Sequence, residues 1–482
     1  MSETFYWHDY ETFGTDPSRD RAVQFAGLRT DADLNIIGEP LVIYARPASD
    51  ALPHPQACLI TGISPQKAVQ DGLPECEFIA LIHEQLAAPG TCSVGYNSLR
   101  FDDEVSRYTL YRNFFDPYAR EWQNGNSRWD IIDLLRAAYA LRPDGIQWPM
   151  REDGLPSFRL EDLTAANGVS HESAHDALSD VYATIAMARL VKEKQPRLYN
   201  FVLRHKDKRS VMAQLDIPGM KPVLHVSGMF GAARHSIALI VPLAVHPVNK
   251  NEIICYDLSV DPQNLFEFPA QQLQDLLYTR AQDLPEGAER PGLKSVHINK
   301  CPIIAPAKMV DPALAQRVGI NGSECRAHLV ALREYKSRDQ SGFANKLQAI
   351  YTGRKFPELT DPDRMLYAGG FFSDGDRRIM DRIRNSSAEH LATASFPFED
   401  SRLPEMLFRY RARNFPEWLS GEERALWEEH CFAYLTDPDM GASICMEAYQ
   451  GEIEELLSVE GNSEDRRLLL EQLLEYGDSL LA

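Results

Sequence analysis

Two acidic residues interrupt a hydrophobic run near the start of the chain, and this feature constrains the fold more than any other. Residues 5–13, FYWHDYETF, are rich in aromatic side chains and are predicted to form a strand. Because alternate residues of a strand share a face, Asp9 and Glu11 would lie side by side, with Tyr10 and Thr12 opposite. Neighbouring carboxylates in bulky apolar surroundings are costly unless a cation lies between them. A solvent-facing strand is the alternative interpretation.

The first 195 residues alternate strand-like and helix-like patterns, which predicts an α/β domain. The strand-like patterns cover residues 5–13, 23–29 and 41–44, and the helical ones cover residues 77–88, 131–141 and 177–192. Pro196 follows the basic end of the last helix, as expected where a helix stops. We therefore expect a domain boundary near residue 195.

The pattern changes after residue 210 to short β-rich runs separated by Gly, Pro, Asn and Asp. The runs are VLHVSGMFG, HSIALIVPLAV and NEIICYDLS, and they favour a small barrel or sandwich. Helical patterns resume near Ala313, in residues 325–350, and through the acidic remainder of the chain. The sequence predicts three domains, at residues 1–195, 196–350 and 351–482.

Two further acidic elements accompany the first strand. Asp102 opens three consecutive acids at the start of a predicted helix, where the helix dipole alone would favour them. Asp180 lies early in the helix predicted at residues 177–192, five residues after His175, a group that titrates near neutral pH. Asp9, Glu11, Asp102 and Asp180 together suit two divalent cations with oxygen ligands, and His175 would serve as a base. This combination is typical of a phosphodiesterase.

These motifs resemble those of a known enzyme family. The DEDD exonucleases that use His rather than Tyr have three signatures. These are Asp-x-Glu-Thr in a first strand, Asn-x-x-x-Phe-Asp in the middle and His-x-x-x-x-Asp at a helix start. Beyond them, residues 5–415 resemble the bacterial exonuclease I family. The matching segments are HDYETFG, GYN, RFDDEV, SRWD, PSFRLE, DVYATIA and HVSGMFG.

The resemblance implies a ribonuclease H-like exonuclease domain, then an SH3-like β-barrel domain and a C-terminal α-helical domain. It implies a 3'→5' exodeoxyribonuclease that degrades single-stranded DNA processively to 5'-mononucleotides by two-metal-ion hydrolysis, in DNA repair and recombination. The expected cofactor is Mg²⁺, two ions per site, with Mn²⁺ possible. Asp9, Glu11 and Asp180 would be metal ligands, with Asp102 completing the acidic set. His175 would be the general base, and Glu11 and Arg159 would contact the substrate.

Binding a single strand also requires cations for the phosphates and aromatic faces for the bases. Tyr118 and Trp122 are four residues apart and would share a face if the segment were helical. Arg107, Arg136 and Lys208 are candidate phosphate contacts. The resemblance favours Arg107, Tyr118, Trp122 and Arg136 over other cations and aromatic residues of the chain.

Charge and cysteine content bear on partners and location. The formal net charge is -20, yet the middle third has more basic than acidic residues. The resemblance implies a second partner, the acidic C-terminal tail of single-stranded-DNA-binding protein. Candidate contacts for this tail are Arg402, Arg409, Arg411 and Arg413. The scattered cysteines and an N-terminus without a secretory pattern predict a cytoplasmic protein. We also expect a monomer that has no membrane contact.

Four alternatives remain open. A zinc site could be formed by His297, Cys301, Cys325 and His328. A class of metal phosphohydrolases is built on adjacent His-Asp pairs, which it places on helices. This chain has two such pairs, His8-Asp9 and His175-Asp176. An inactive DNA-binding adaptor would keep the fold without the chemistry. An RNA 3' exonuclease of the same superfamily would share all three motifs.

Overall fold

The computed structural model describes residues 3–170, 176–353 and 358–481, and the chain forms two compact units. The first unit consists of Met1–Arg128, His171–Ile185 and Glu358–Ala482, and the second of Trp129–Ser170 and Ala186–Pro357. Within the described ranges no helix is both long enough and apolar enough to cross a bilayer. The two predicted domain boundaries, after residues 195 and 350, remain a prediction.

The strands and helices are numbered here in chain order. The strands are β1 Thr4–Thr12, β2 Ala22–Thr30, β3 Ile36–Ala45, β4 Gly72–Leu73, β5 Thr91–Gly95, β6 Ser127–Asp130, β7 Val223–Val226, β8 Ile237–Val245, β9 Glu252–Asp257, β10 Leu293–His297 and β11 Ile303–Pro306. The helices are α1 Pro55–Thr61, α2 Pro65–Asp71, α3 Glu75–Ala87, α4 Asp102–Arg112, α5 Ile131–Leu141, α6 Leu160–Ala166, α7 Ala177–Lys194, α8 Pro196–Arg204, α9 Lys208–Gln214, α10 Gln263–Glu267, α11 Ala270–Tyr278, α12 Pro312–Val318, α13 Gly322–Arg338, α14 Gln340–Thr352, α15 Asp374–Arg384, α16 Ala388–Thr393, α17 Leu403–Asn414, α18 Gly421–Thr436, α19 Met446–Ser458 and α20 Glu464–Leu481.

A mixed sheet in the order β4-β3-β2-β1-β5-β6 carries the first acidic motif. Its central strand β1 runs antiparallel to β2 and parallel to β5. Tyr6 and Tyr10 pack with Phe78 and Ile82 of α3 on one face of the sheet. By strand alternation, Asp9 and the other odd-numbered residues of β1 therefore lie on the opposite face. The strand predicted at residues 5–13 and its alternation are confirmed.

The C-terminal helices belong to the first unit and pack on its other elements. Tyr449 of α19 and Leu473 of α20 share a core with Cys58 of α1, and the Tyr449 hydroxyl donates to the Leu473 carbonyl at 2.6 Å. Tyr111 of α4 shares a second core with Met380 of α15. The helical character of this segment was expected from its periodicity, but its packing partners were not.

The four C-terminal arginines are occupied by ion pairs within this unit. Arg413 contacts Asp50 at 2.6 Å and Asp363 at 2.7 Å, both of which are buried. The others pair at 2.6 to 2.7 Å as Arg402 with Asp400, Arg409 with Asp361 and Arg411 with Glu423. Because these guanidinium groups are engaged inside the fold, their ion pairs argue against them as contacts for an acidic tail.

The second unit contains a five-stranded sheet in the order β10-β9-β8-β7-β11. Neighbouring strands in this order run antiparallel, and the β-rich character predicted for this segment is confirmed. The register of β8 shifts between Pro242 and Ala244, since proline offers no N–H to the ladder. The helix predicted at residues 325–350 is divided at Asp339, whose carboxylate caps α14 by accepting from Gly342 N–H at 2.8 Å. Pro196 does follow the end of α7, but it also begins α8.

Candidate active site

Three carboxylates converge on the face of the sheet opposite α3. Asp9 and Glu11 come from β1, and Asp180 comes from the first turn of α7. One oxygen of each lies within 4.8 Å of the others, and Glu11 is buried while its two partners are half-buried. Strand alternation places the first two carboxylates on one face, and the start of α7 adds the third.

The negative charges of these three carboxylates require a compensating positive charge. Burial raises the pKa of Glu11 to about 8, and the charges of Asp180 and Asp102 add to the effect. Burial and the charges of Asp102, Glu11 and Asp180 also raise the pKa of Asp9 well above its usual range. An all-oxygen set of carboxylates that repel one another fits a hard divalent cation, which would remove the repulsion.

The adjacent acids at the start of α4 have different surroundings. Asp102 is buried, and one of its carboxylate oxygens accepts the Tyr10 N–H at 3.1 Å. Asp103 contacts Arg120 at 2.7 Å and Arg128 at 2.8 Å, and despite burial these guanidinium groups hold its pKa well below the usual range. Asp102 therefore lies beside the three converging carboxylates but outside their 4.8 Å group, whereas Asp103 is neutralised by arginines.

Two polar residues form hydrogen bonds at the start of α7. Asp176 accepts the Ser179 N–H at 3.2 Å, so it caps the helix, as acids at helix starts commonly do. Gln24 of β2 donates to Asp176 at 3.3 Å and accepts the Ala177 N–H at 3.3 Å. Sequence reasoning missed Gln24, whose signal is a polar residue in an otherwise apolar strand. His175 lies outside the described residues, so its predicted role stays a prediction.

The aromatic residues predicted to bind bases belong to a larger surface in the first unit. Tyr118 and Trp122 flank a single 3-10 turn. The segment is therefore not α-helical, and the condition for a shared helical face is not met. The Tyr118 ring lies 6.4 Å from the ring of Tyr367 and 6.4 Å from that of Phe371, which is 85% exposed. Trp122 is 65% exposed. Tyr367 and Phe371 were missed, although the segment YAGGFF carries a recognisable aromatic signal.

The cations predicted to bind phosphates differ in accessibility. Arg107 is buried between Glu104 and Glu121, each at 2.7 Å, and its guanidinium lies 5.4 Å from the centre of the Tyr118 ring. The cation is therefore compensated by two glutamates and lies against an aromatic ring, and its role as a phosphate contact stays a prediction.

Three predicted substrate contacts lie in the second unit. The Arg159 side chain is 77% exposed. Arg136 contacts Asp133 at 2.8 Å, and the Lys208 ammonium donates to Asn251 at 2.6 Å.

The alternative zinc site does not assemble within the described part of the chain. His328 Nδ1 lies 2.8 Å from the Leu258 carbonyl, and His297 Nδ1 lies 3.6 Å from Glu252. Over the described ranges, the group formed by Asp9, Glu11 and Asp180 is the one cluster of three or more potential ligands. His8 lies on a strand, unlike the helical His-Asp pairs of the phosphohydrolase alternative.

Comparison with known proteins identifies the family. Family profiles described as "Exonuclease", "Exonuclease I SH3-like domain" and "Exonuclease I C-terminal domain" match residues 6–188, 206–353 and 360–480. Exodeoxyribonuclease I of Escherichia coli (strain K12) is 47% identical, over 100% of this chain and 99% of that protein. The chain belongs to the exonuclease I family. Membership confirms the predicted order of an exonuclease domain, an SH3-like domain and a C-terminal domain, and the predicted class of exodeoxyribonuclease.

Solved structures of exonuclease I share this fold over the whole chain. The enzyme of Methylocaldum szegediense is 50% identical with a TM-score of 0.94, covering 100% of both chains. E. coli exonuclease I in complex with a dA16 oligonucleotide is 46% identical with a TM-score of 0.94, covering 99% of this chain and 100% of that one. A structure of SSB/exonuclease I in complex with the inhibitor CFAM is 45% identical with a TM-score of 0.90, covering 100% of both chains.

Proposed function

We propose that this chain is a metal-dependent 3'→5' exonuclease of single-stranded DNA that releases 5'-mononucleotides processively. The convergence of Asp9, Glu11 and Asp180 within 4.8 Å is the observation that carries the proposal, because such a set suits divalent cations at a phosphodiester. The dA16 complex of the E. coli relative supports single-stranded DNA as the substrate.

The proposed roles of the site residues combine this arrangement with the family resemblance. Asp9, Glu11 and Asp180 would hold Mg²⁺, two ions per site, or Mn²⁺ in its place, and Asp102 would complete the acidic surroundings. Bound there, the cations would polarise the scissile phosphate and offset its negative charge. His175 would accept a proton from the attacking water, and that water would add to phosphorus as the 3'-oxygen of the next nucleotide leaves. Asp103 would stay outside the reaction, since arginines compensate it.

Substrate binding is assigned to both units. Tyr118, Trp122, Tyr367 and Phe371 present partly exposed aromatic rings in the first unit, which suits the stacking of unpaired bases. Arg136, Lys208 and Arg159 of the second unit would contact phosphates or the substrate end. Base stacking tolerates any sequence, as a nuclease that degrades DNA progressively requires.

The biological setting of the proposal rests on the relatives. The complex of a relative described as SSB/exonuclease I supports the tail of single-stranded-DNA-binding protein as a partner. Arg402, Arg409, Arg411 and Arg413 are engaged in ion pairs within the first unit, which argues against them as the contact for this tail. We further propose a cytoplasmic monomer acting in DNA repair and recombination.

A substrate panel tests the proposed function. The protein is given 5'-labelled single-stranded DNA, double-stranded DNA and single-stranded RNA of one sequence, with Mg²⁺ or EDTA, and Asp180→Ala serves as the control. We expect Mg²⁺-dependent shortening of single-stranded DNA from its 3' end, absent in Asp180→Ala. A preference for RNA would instead indicate a 3' ribonuclease with the same site, and no cleavage of any substrate would indicate an adaptor.

A further inference from the structure

The HVSGMFG segment has no role in the function as described above, yet it lies against a proposed substrate contact. Gly228 of this segment faces the guanidinium of Arg136 from α5. A Cβ placed on Gly228 would lie 3.0 Å from Cζ, 3.1 Å from Nη2 and 3.2 Å from Nη1 of Arg136. These distances are shorter than ordinary Cβ contacts, so a side chain at residue 228 would require the flexible end of Arg136 to move away by a few tenths of an ångström.

The backbone at Gly228 does not itself require glycine. Gly228 opens a 3-10 turn over Gly228–Phe230 and is not among the residues with a positive φ. Gly231, which follows this turn, has a φ of 76° and does occupy the left-handed region. Alanine at position 228 would therefore fit the chain conformation, and the close approach of Arg136 is the feature that excludes a larger residue.

Packing and hydrogen bonds hold the loop around Gly228 in place. A side chain added there would therefore move the Arg136 guanidinium rather than the loop. Phe230 is buried in the core of the second sheet with Val223 and Ile240. The Ser227 hydroxyl accepts the Met229 N–H at 3.3 Å, and the Ser227 N–H donates to the carbonyl of Ser236 at 2.8 Å. A side chain added at residue 228 would consequently displace the flexible end of Arg136 rather than the backbone of the loop.

The guanidinium is oriented by three neighbours and keeps donors for a ligand. Asp133 accepts from Nη1 at 2.8 Å, and the centre of the Phe158 ring lies 5.8 Å from Cζ. Gly228 forms the third side. A guanidinium has five N–H groups in a planar fork, of which the Asp133 contact uses one, and such a fork suits a phosphate. The Arg136 side chain is 16% exposed, so part of it reaches solvent.

We infer that Gly228 is a positioning residue for single-strand binding: the missing side chain lets Arg136 present its guanidinium to a substrate phosphate. This inference rests on the proposed function, because it takes Arg136 as a phosphate contact. Gly228 itself does not touch the reacting atoms. Its replacement changes the affinity for the strand and leaves the chemical step unaffected.

A double-mutant cycle on the full chain tests the inference. Gly228→Ala, Gly228→Val, Arg136→Ala and the Gly228→Val/Arg136→Ala double variant are compared for the Kd of a labelled oligo-dT in EDTA, and for KM and kcat with Mg²⁺. We expect Gly228→Val to raise Kd and KM about tenfold with little change in kcat, a typical cost of one charge-assisted contact. The salt slope of log Kd should fall by about 0.7, the value for one phosphate contact on a single strand. Gly228→Ala should have a smaller effect in the same direction.

The cycle separates a positioning role from a general structural one. In the Arg136→Ala background, Gly228→Val should have no further effect, so the two effects are fully coupled. Gly322→Val is the matched control, since Gly322 starts α13 in the same unit and its added Cβ would meet no atom within 4 Å. Independent, multiplicative effects would overturn the inference, as would an unchanged Kd in Gly228→Val or in Arg136→Ala. The wild-type substrate panel, measured separately, shows whether the proposed function itself has failed.

Discussion

The crowded carboxylates predict that the metal-free protein is destabilised by its own active site. The pKa of Glu11 is about 8 in the folded chain, against an ordinary value of 4.5. Between these pH values the folded state binds a proton that the unfolded state has lost, so the stability of the wild type decreases as pH rises from 4.5 towards 8. At about 1.4 kcal/mol per pKa unit, the penalty near pH 8 reaches up to about 5 kcal/mol.

Replacing Glu11 by Gln removes the ionisable group and the pH dependence that it causes. In EDTA near pH 8, we expect Glu11→Gln to unfold at a higher temperature than the wild type, and the difference should shrink near pH 6. Mg²⁺ should narrow the difference, since binding to the folded wild type adds about 2.7 kcal/mol at a hundredfold excess over Kd and so offsets about half of the penalty. Scanning calorimetry at both pH values, with and without Mg²⁺, measures this. A variant that is less stable than the wild type in EDTA near pH 8 would refute the reasoning.

The remaining predictions concern the acid beside the site, the ligand on α7 and the proposed base. Asp103→Asn removes the acidic partner of the buried Arg120 and should destabilise the protein by about 3–5 kcal/mol with or without Mg²⁺; an unchanged denaturation midpoint would contradict this. Asp180→Asn should abolish turnover while fluorescence anisotropy still detects single-strand binding, and wild-type rates would remove this residue from the site. If His175 is the base, wild-type activity falls below its pKa, about 6.5 if unperturbed. In that case the activity of His175→Ala should not show this fall at low pH. A pH profile unchanged by the substitution would contradict the role of His175 as the base.

Local patterns predicted the parts of the fold that depend on local geometry. The period of two in β1 placed Asp9 and Glu11 on one face, and strand geometry alone produces that result. The 3-10 turn at Tyr118 was not predicted, because its cause is a specific contact: the Asp116 carboxylate accepts the Tyr118 N–H at 2.9 Å and the Ala119 N–H at 3.0 Å. An i to i+4 spacing indicates a shared face only where the chain is α-helical.

Contacts between distant segments could not be predicted from the sequence. Arg413 pairs with Asp50 across most of the chain length, and no local signal indicates such a partner. The preference for Asp102 over Asp103 rested on the family resemblance alone. The structure supplies a physical distinction, since two arginines reach one acid and the Tyr10 N–H contacts the other. Folding brings these groups together, so the sequence alone does not reveal them.

The measurement that tests the central claim most directly is the affinity of the full chain for Mn²⁺ in the absence of DNA. Electron paramagnetic resonance detects the free and bound Mn²⁺. The claim is that Asp9, Glu11 and Asp180 form the divalent-cation site. We predict saturable Mn²⁺ binding by the wild type and binding weakened at least about tenfold in Asp180→Asn, the loss expected when one charged ligand is removed. Asp153→Asn, at an exposed acid of the second unit, is the control and should bind as the wild type does. Equal Mn²⁺ affinity in the wild type and Asp180→Asn would contradict the account.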